Sequence, residues 1–387
     1  MIDKKIEQEP SLCTGCTACY NACPISAIEM KENKEGFLYP AVDYSKCIKC
    51  GKCISICPAI NQTADLDDES VDVYVAYNTD DKIREKSSSG GVFTLIAENI
   101  LNDGGIVYGA AFDDNWNVIH KRMDNITDLD LLRGSKYVQS NLCDAYSRCL
   151  NDLNNGRQVL FSGTPCQIAG LYAFLGEPYD NLFTVDIICH GVPSPLVWRK
   201  YLAERFEVSS IKSINFRCKT NGWSNYSVKI ESENKLAYEE RHNEDIFMRG
   251  FLGDLYLRES CHNCRFKSVG RISDITLADA WGVEEFKPEL YCKTGTSMVL
   301  IQNERGKKLL DDISKYLEIS NVPVSVVMKY NSAVNKSVPK HKNREIFFSK
   351  LNDCESVCKI IDKLVDQRSL RKKISFAIRS RLKSLFK

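Results

Sequence analysis

Two twelve-residue runs near the start constrain this chain more than anything else in it: C-T-G-C-T-A-C-Y-N-A-C-P and C-I-K-C-G-K-C-I-S-I-C-P. The first holds Cys13, Cys16, Cys19 and Cys23 before Pro24, the second Cys47, Cys50, Cys53 and Cys57 before Pro58. Their constant offset of 34 residues makes them an internal repeat, over about 4–33 and 38–67. The chain has 18 cysteines in 387 residues, so a secreted disulfide framework is the first alternative to weigh. It fits badly. The start, MIDKKIEQEPS, is charged and lacks the apolar stretch of a signal peptide. No apolar run approaches the roughly 20 residues that cross a bilayer. The thiols read as thiolates holding metal in a reducing, cytoplasmic setting.

The spacing C-x2-C-x2-C-x3-C-P is that of the bacterial two-cluster ferredoxins. Three closely spaced thiolates wrap one cubane, and the fourth reaches the other. Cys13, Cys16, Cys19 and Cys57 are therefore expected to hold one 4Fe-4S cluster, and Cys47, Cys50, Cys53 and Cys23 the second. Two zinc knuckles would also take four thiolates each. Two runs, both ending in Cys-Pro, favour the ferredoxin. Such clusters carry one electron at a time.

The remaining chain alternates between two periodicities. VDVYVAY (71–77), IVYGAAF and NVIHKRM read as strands, with the apolar helix VFTLIAENIL after Ser87-Ser88-Ser89-Gly90-Gly91. A helix is expected around 141–154. QVLFSG (158–163) and LFTVDIIC (182–189) read as buried strands. Each is followed by a helix, near Pro165 and near Ser194-Pro195. The alternation predicts an α/β core. Further strands are expected at IKSINFRC, YSVKIES, ITLADAW and SMVLIQN, then a helix over 304–317 and a helical last 40 residues. NQTADLDDES (61–70) reads as an acidic linker.

Six stretches occur in a fixed order after the cysteine repeats: S-S-S-G-G (87–91), R-G-S-K-Y-V-Q-S (133–140), G-T-P-C-Q (163–167), C-H-G-V-P-S-P (189–195), C-H-N-C-R-F (261–266) and S-D-I-T-L-A-D-A-W-G (273–282). With the ferredoxin repeats, the chain resembles the family of coenzyme F420 hydrogenase/dehydrogenase beta subunits over residues 5–320. The resemblance implies FAD, iron–sulfur clusters and electron passage between clusters and an organic two-electron acceptor. The expected fold is mixed α+β and α/β. A small ferredoxin-like domain (1–60) precedes a larger α/β domain binding FAD and iron–sulfur (71–320), then a helical C-terminal region (321–387).

Under that resemblance, Ser87, Ser88, Ser89, Gly90 and Gly91 serve the FAD pyrophosphate, since a Gly-rich helix start offers free N–H groups and the positive dipole end. The bland reading is a helix cap with a flexible turn. No G-x-G-x-x-G follows a strand, which argues against a Rossmann site. Lys136, beside Ser135 and Tyr137, offers a cation to an anionic flavin or a phosphate, or is simply solvated. Arg133 carries similar, weaker weight. His190 offers a proton to a substrate or is structural. Asp279 binds a flavin hydroxyl or caps a turn. Cys166 and Cys189 end apolar strands that can lie side by side, and Cys261 and Cys264 form a C-x2-C pair. These four are expected to hold a third 4Fe-4S cluster beside the flavin; buried apolar thiols or a reactive thiol at a helix start are the alternatives. Cys143, Cys149, Cys218, Cys292, Cys354 and Cys358 read as structural.

The resulting expectation is an iron–sulfur flavoprotein oxidoreductase, with coenzyme F420 or another reducible compound as its small-molecule acceptor. A redox partner protein or low-potential donor supplies or takes the electrons. The alternative is a non-enzymatic relay to a partner enzyme. A net charge of +1 gives no field for nucleic acid. Residues 368–387 carry eight Lys or Arg and no acid, which leaves about −7 on the rest of the chain. Leu370, Ile374, Ile378, Leu382 and Leu385 form an apolar stripe among them. That tail suits an anionic membrane surface, which would make the protein peripheral to its inner face, or docking on acidic protein.

Overall fold

The computed structural model describes residues 1–61, 71–233, 235–353 and 356–365. The basic tail, most of the acidic linker and Cys354 lie outside the described residues.

The N-terminal module packs Ile2, Ile6, Leu12 and Ile28 beneath its cysteines. Strands β1 (Ile28–Glu32) and β2 (Leu38–Val42) pair antiparallel between the two runs. The hairpin loop docks the module. Phe37 in that loop is fully buried among Trp198 and Phe348, and Arg344 holds Glu35 at 2.7 Å.

Eleven further strands follow among the described residues: β3 (Asp72–Asn78), β4 (Ile106–Phe112), β5 (Val118–Met123), β6 (Val159–Ser162), β7 (Leu182–Ile187), β8 (Ile211–Cys218), β9 (Ser227–Ser232), β10 (Lys235–Arg241), β11 (Ile275–Asp279), β12 (Ser297–Ile301) and β13 (Leu317–Asn321). Eight make one sheet in the order β13-β3-β12-β11-β7-β6-β4-β5. Its centre, β4-β6-β7-β11, is parallel, and the flanking pairs are antiparallel. The side chains alternate between faces as the pleat requires. Val107 and Leu160 meet helices Val92–Asn102 and Glu304–Ile313 on one face. Ile106, Tyr108, Val159 and Phe161 meet helices Ala145–Asn154 and Pro165–Leu175 on the other. Strands β8, β9 and β10 form a separate sheet over an aromatic core of Trp198, Tyr201, Phe216 and Phe247. Phe347, Leu351 and Ile361, from helices Arg344–Leu351 and Val357–Leu364, join that core.

Two expected helices are shorter than their periodicity suggests. The helix expected from 141 begins at Ala145, because Asn141 pairs with β5 and Cys143 turns with φ +48°. The helix expected to reach 317 ends at Ile313, because Leu317 opens an edge strand paired with Asn78.

This topology decides where chemistry collects. β3, β6, β7 and β11 run the same way, so their carboxyl ends share one edge of the sheet. Ser87–Gly91 follows β3, Cys166 follows β6, Cys189 follows β7, and Asp279 ends β11. That edge is where open α/β sheets place ligands.

Candidate functional site: three thiol sites and a serine–glycine turn on one sheet edge

The two runs of the module fold into two thiol sets. Burial pushes the Cys16 thiol up to about 12, and the charges of Cys57 and Cys13 add to the rise. Burial raises Cys19 too, and the charges of Cys16, Cys13, Cys57 and Cys53 add to the rise. Cys57, from the second run, thus stands close to the thiols of the first, with Cys53 beside it. Cys23, Cys47, Cys50 and Cys53 line a partly open cavity together with Ile25 and Ile48. Cys50 is exposed, so this second set opens at the surface.

A third set forms in the larger domain. Cys166, Cys189, Cys261 and Cys264 line one partly open cavity. Thr164 and Gln167 form a capping box around Pro165, which fixes Cys166 in the first turn of helix Pro165–Leu175. Cys261 and Cys264 come from the short turn Glu259–Asn263 and its end. Burial pushes the Cys189 and Cys261 thiols up to about 12. It pushes Cys166 higher still, with Cys264, Cys189 and Cys16 adding to the rise. Among the described residues, no three His, Cys, Asp or Glu side chains converge on a point that could hold a single metal ion. Four thiols lining one cavity are the donor set of a 4Fe-4S cluster, whose binding requires each thiol to lose its proton.

Cations line the same region. Arg258 is fully buried. Its Nε donates to the Cys13 carbonyl (2.7 Å), Nη1 to Gln139 Oε1 (3.0 Å), and Nη2 to Leu38 O (2.9 Å) and Cys13 Sγ (3.4 Å). It also lines the Cys166 cavity. Among the described residues no carboxylate pairs with it. A buried guanidinium left uncompensated costs on the order of several kcal/mol, so anionic thiolates beside it are the fitting counter-charge. Lys267 donates to the Cys189 carbonyl, and Arg271, with Nη2 unpartnered, reaches the same cavity.

The serine–glycine turn is built differently from expectation. Its hydroxyls turn into the protein: Ser87 to Ile83 O, Ser89 to Thr296 O, and Ser88 to Ser135. Much of its backbone is engaged as well: Gly90 N–H donates to Ser297 Oγ (2.9 Å), and Gly90 O accepts from Asn78 N (2.7 Å). Helix Val92–Asn102 starts from Gly91 with no side-chain cap. A Cβ on Gly90 would stand 2.6 Å from Ala76 O and 2.8 Å from Ser297 N. Arg217, 3 % exposed, ties the sequence motifs together. It donates to Ser88 O (3.1 Å), Tyr137 Oη (3.2 Å) and Asp279 Oδ1 (2.8 Å), while its Nε is buried without a partner. Trp223 Nε1 also donates to Asp279, and the Trp223 ring stacks on Trp281 at 4.9 Å. Lys219 donates to Arg84 O, Ser89 O and Thr294 O. Burial pulls Lys219 down to about 7, although three carbonyl acceptors match the three N–H groups of an ammonium.

The structure thus gathers Ser88, Ser135, Tyr137 and Asp279 around Arg217. It does not gather Arg133 or Lys136 there. Arg133 donates to Thr94 and Glu98 and pairs with Asp130. Lys136 donates to Leu131 O and Arg133 O in its own loop, where burial lowers it to about 7. His190 lines the Cys166 cavity, with Nε2 2.6 Å from Asp254 Oδ1. Its ring meets Phe251 edge-on, and Phe251 also packs against Tyr137. Sequence reasoning missed Arg217, Arg258 and the buried His120, which bonds Ser140 and Ser162 O. None carries a spacing signal; only the proximity of Arg258 to the C-x2-C pair hints at it.

The models for the beta subunit of coenzyme F420 hydrogenase/dehydrogenase match this chain in two parts, the N-terminal one over residues 73–146 and the C-terminal one over 156–325. The chain belongs to that family. A 4Fe-4S dicluster domain model also matches residues 12–60, so this member carries its own ferredoxin-type module. Among curated proteins it is 24% identical over 332 residues to a subunit of the F(420)H(2) dehydrogenase of Methanosarcina mazei, covering 81% of this chain and 85% of that one. It is 23% identical over 317 residues to the coenzyme F420-dependent sulfite reductase of Methanocaldococcus jannaschii, covering 78% of this chain but 46% of that protein. Among solved structures, a chain of the F420-reducing [NiFe] hydrogenase complex from Methanosarcina barkeri aligns with a TM-score of 0.48 and 17% identity, over 73% of this chain and 93% of that one. Among the described residues, no helix is long and apolar enough to cross a membrane.

Proposed function

We propose that this family member is an iron–sulfur flavoprotein oxidoreductase, linking ferredoxin-type clusters through FAD to a two-electron organic acceptor such as coenzyme F420. One observation carries the reading: the Cys166 cavity and the Ser88–Ser135 turn share the sheet edge and are joined by Phe251, which touches His190 on one side and Tyr137 on the other.

The thiol sets would hold 4Fe-4S clusters at Cys13, Cys16, Cys19 and Cys57, at Cys23, Cys47, Cys50 and Cys53, and at Cys166, Cys189, Cys261 and Cys264. Gly91, at the start of helix Val92–Asn102, and Arg217 would hold the FAD pyrophosphate, with Gly90, Ser88 and Ser135 shaping the turn. The uncapped helix start and the unpartnered Arg217 Nε support that assignment. FAD bound there takes electrons singly and yields them as a pair, which single-electron clusters cannot do. Asp254 accepts from His190 Nε2, which leaves Nδ1 as the nitrogen that takes up or gives a proton. Arg133 and Lys136 stiffen the loop that carries Ser135.

The names of the relatives fit an F420-linked role. The test is anaerobic purification in the presence of FAD, followed by flavin extraction and an assay of coenzyme F420 reduction with reduced viologen. FAD stoichiometric with the chain and turnover with an organic acceptor are expected. Protein that holds its iron but binds no flavin at saturating FAD would overturn the reading in favour of an electron relay.

A further inference from the structure

Arg258 stands between two of the three thiol sites and ligates neither. On one side its Nη2 points to Cys13 Sγ at 3.4 Å and its Nε holds the Cys13 carbonyl. On the other it walls the cavity of Cys166, Cys189, Cys261 and Cys264. The faces of Tyr39 and Phe37 cover the guanidinium, their centroids 4.3 and 5.3 Å from it. The loop of the first cysteine run presses on it: a Cβ at Gly15 would stand 2.9 Å from Nη1. Among the described residues, every hydrogen-bond partner is neutral apart from the thiol sulfur, and no carboxylate pairs with the enclosed charge.

A fixed positive charge in a low-dielectric interior favours any negative charge added near it, with a strength that falls with distance. Each cluster gains one negative charge when it accepts one electron from an external one-electron donor. Arg258 touches the Cys13 set and the Cys166 set. Cys23, Cys47, Cys50 and Cys53 line a different cavity that does not include it.

We infer that Arg258 tunes two of the three centres: its buried charge raises the reduction potentials of the Cys13 and Cys166 centres and leaves that of the surface centre at Cys50 unmoved. Arg258 is a positioning residue for charge, and the inference rests on the cluster assignments proposed above. Relative to a chain without that charge, it biases electrons from the exposed Cys50 centre toward the sheet edge.

The experiment is a redox titration of the full chain followed by electron paramagnetic resonance, on wild type, Arg258→Gln and Arg258→Lys, with iron measured on each sample. In Arg258→Gln the midpoints of the Cys13 and Cys166 centres should fall by a tenfold change in the oxidised-to-reduced ratio, about 59 mV for one electron. The Cys50 centre should not move. Arg258→Lys keeps the charge without the guanidinium fork, and its midpoints should stay within a fewfold ratio of wild type. Equal displacement of all three centres, or unmoved midpoints in Arg258→Gln with full iron, would overturn the inference. If Arg258→Gln does not accumulate, the Lys variant decides: a tenfold displacement there would assign Arg258 a packing role. Wild-type protein lacking cluster signals would instead remove the cluster reading itself.

Discussion

Gly170 lies directly against Cys16: a Cβ built on this glycine would stand 2.9 Å from the Cys16 Cβ and 3.1 Å from its Sγ. Cys166 opens the same helix four residues earlier, about 6 Å away along the axis and on the same face. One helix thus supplies a thiol to the cavity at the sheet edge and, one turn later, seats a thiol of the first cysteine run. The module is docked thiol against helix.

Substituting that glycine should therefore act on one centre. Alanine favours a helix interior over glycine by about 1 kcal/mol, but here the methyl group meets Tyr146 Oη at 2.7 Å and Cys16. Gly170→Ala should keep its helix content, and it should lower occupancy of the Cys13–Cys16–Cys19–Cys57 centre while sparing the Cys50 centre. Iron analysis with circular dichroism checks this. Equal loss from both centres would show that the contact is not specific.

The turn before helix Val92–Asn102 makes a second, separable prediction. The neighbours a Cβ at Gly90 would strike first are backbone atoms, which have little room to yield. Gly90→Ala should deform the turn and reduce FAD retention at least tenfold, with iron content unchanged. Ultrafiltration followed by flavin and iron assays on the same sample reads both. Undiminished flavin would detach the turn from FAD.

His120 gives a pH dependence. It is 3 % exposed, and burial first, then the charge of Lys136, lowers it from 6.5 to about 4. Its Nε2 faces the Ser162 carbonyl, so that nitrogen carries the proton and Nδ1 accepts from Ser140. The folded value lies below the unfolded one. The unfolded chain therefore binds the extra proton first, and stability falls as pH drops from about 6.5 toward 4, by up to about 3 kcal/mol. Urea midpoints between pH 7 and 4 should fall more steeply for wild type than for His120→Gln. Parallel slopes would contradict the assignment.

The parallel sheet is legible in the sequence because its strands are short apolar runs followed by helix starts at Thr164-Pro165 and Ser194-Pro195. The thiol ring is legible for the same reason: Cys166 and Cys189 follow adjacent strands. Leu317–Asn321 borders a helical pattern, and only pairing with β3, more than two hundred residues away, makes it a strand. The motif locates the serine–glycine turn, but not the use of its hydroxyls. Two of their partners, Thr296 O for Ser89 and Ser135 for Ser88, are distant in sequence. Arg133 and Lys136 carry motif weight, yet the charge at that turn comes from Arg217, which no spacing marks. Charges buried by tertiary contact leave no periodic trace in the chain.

The most direct measurement is the iron content of Cys166→Ser, beside Cys189→Ser and Cys264→Ser, all purified without oxygen. Wild type should hold about twelve irons, and each variant about eight, since one cubane of four is lost and the two ferredoxin centres remain. All three variants should share one phenotype, with the ferredoxin clusters still reducible and the flavin reduced slowly or not at all. Cys166→Ser protein with undiminished iron would contradict a third cluster at the sheet edge.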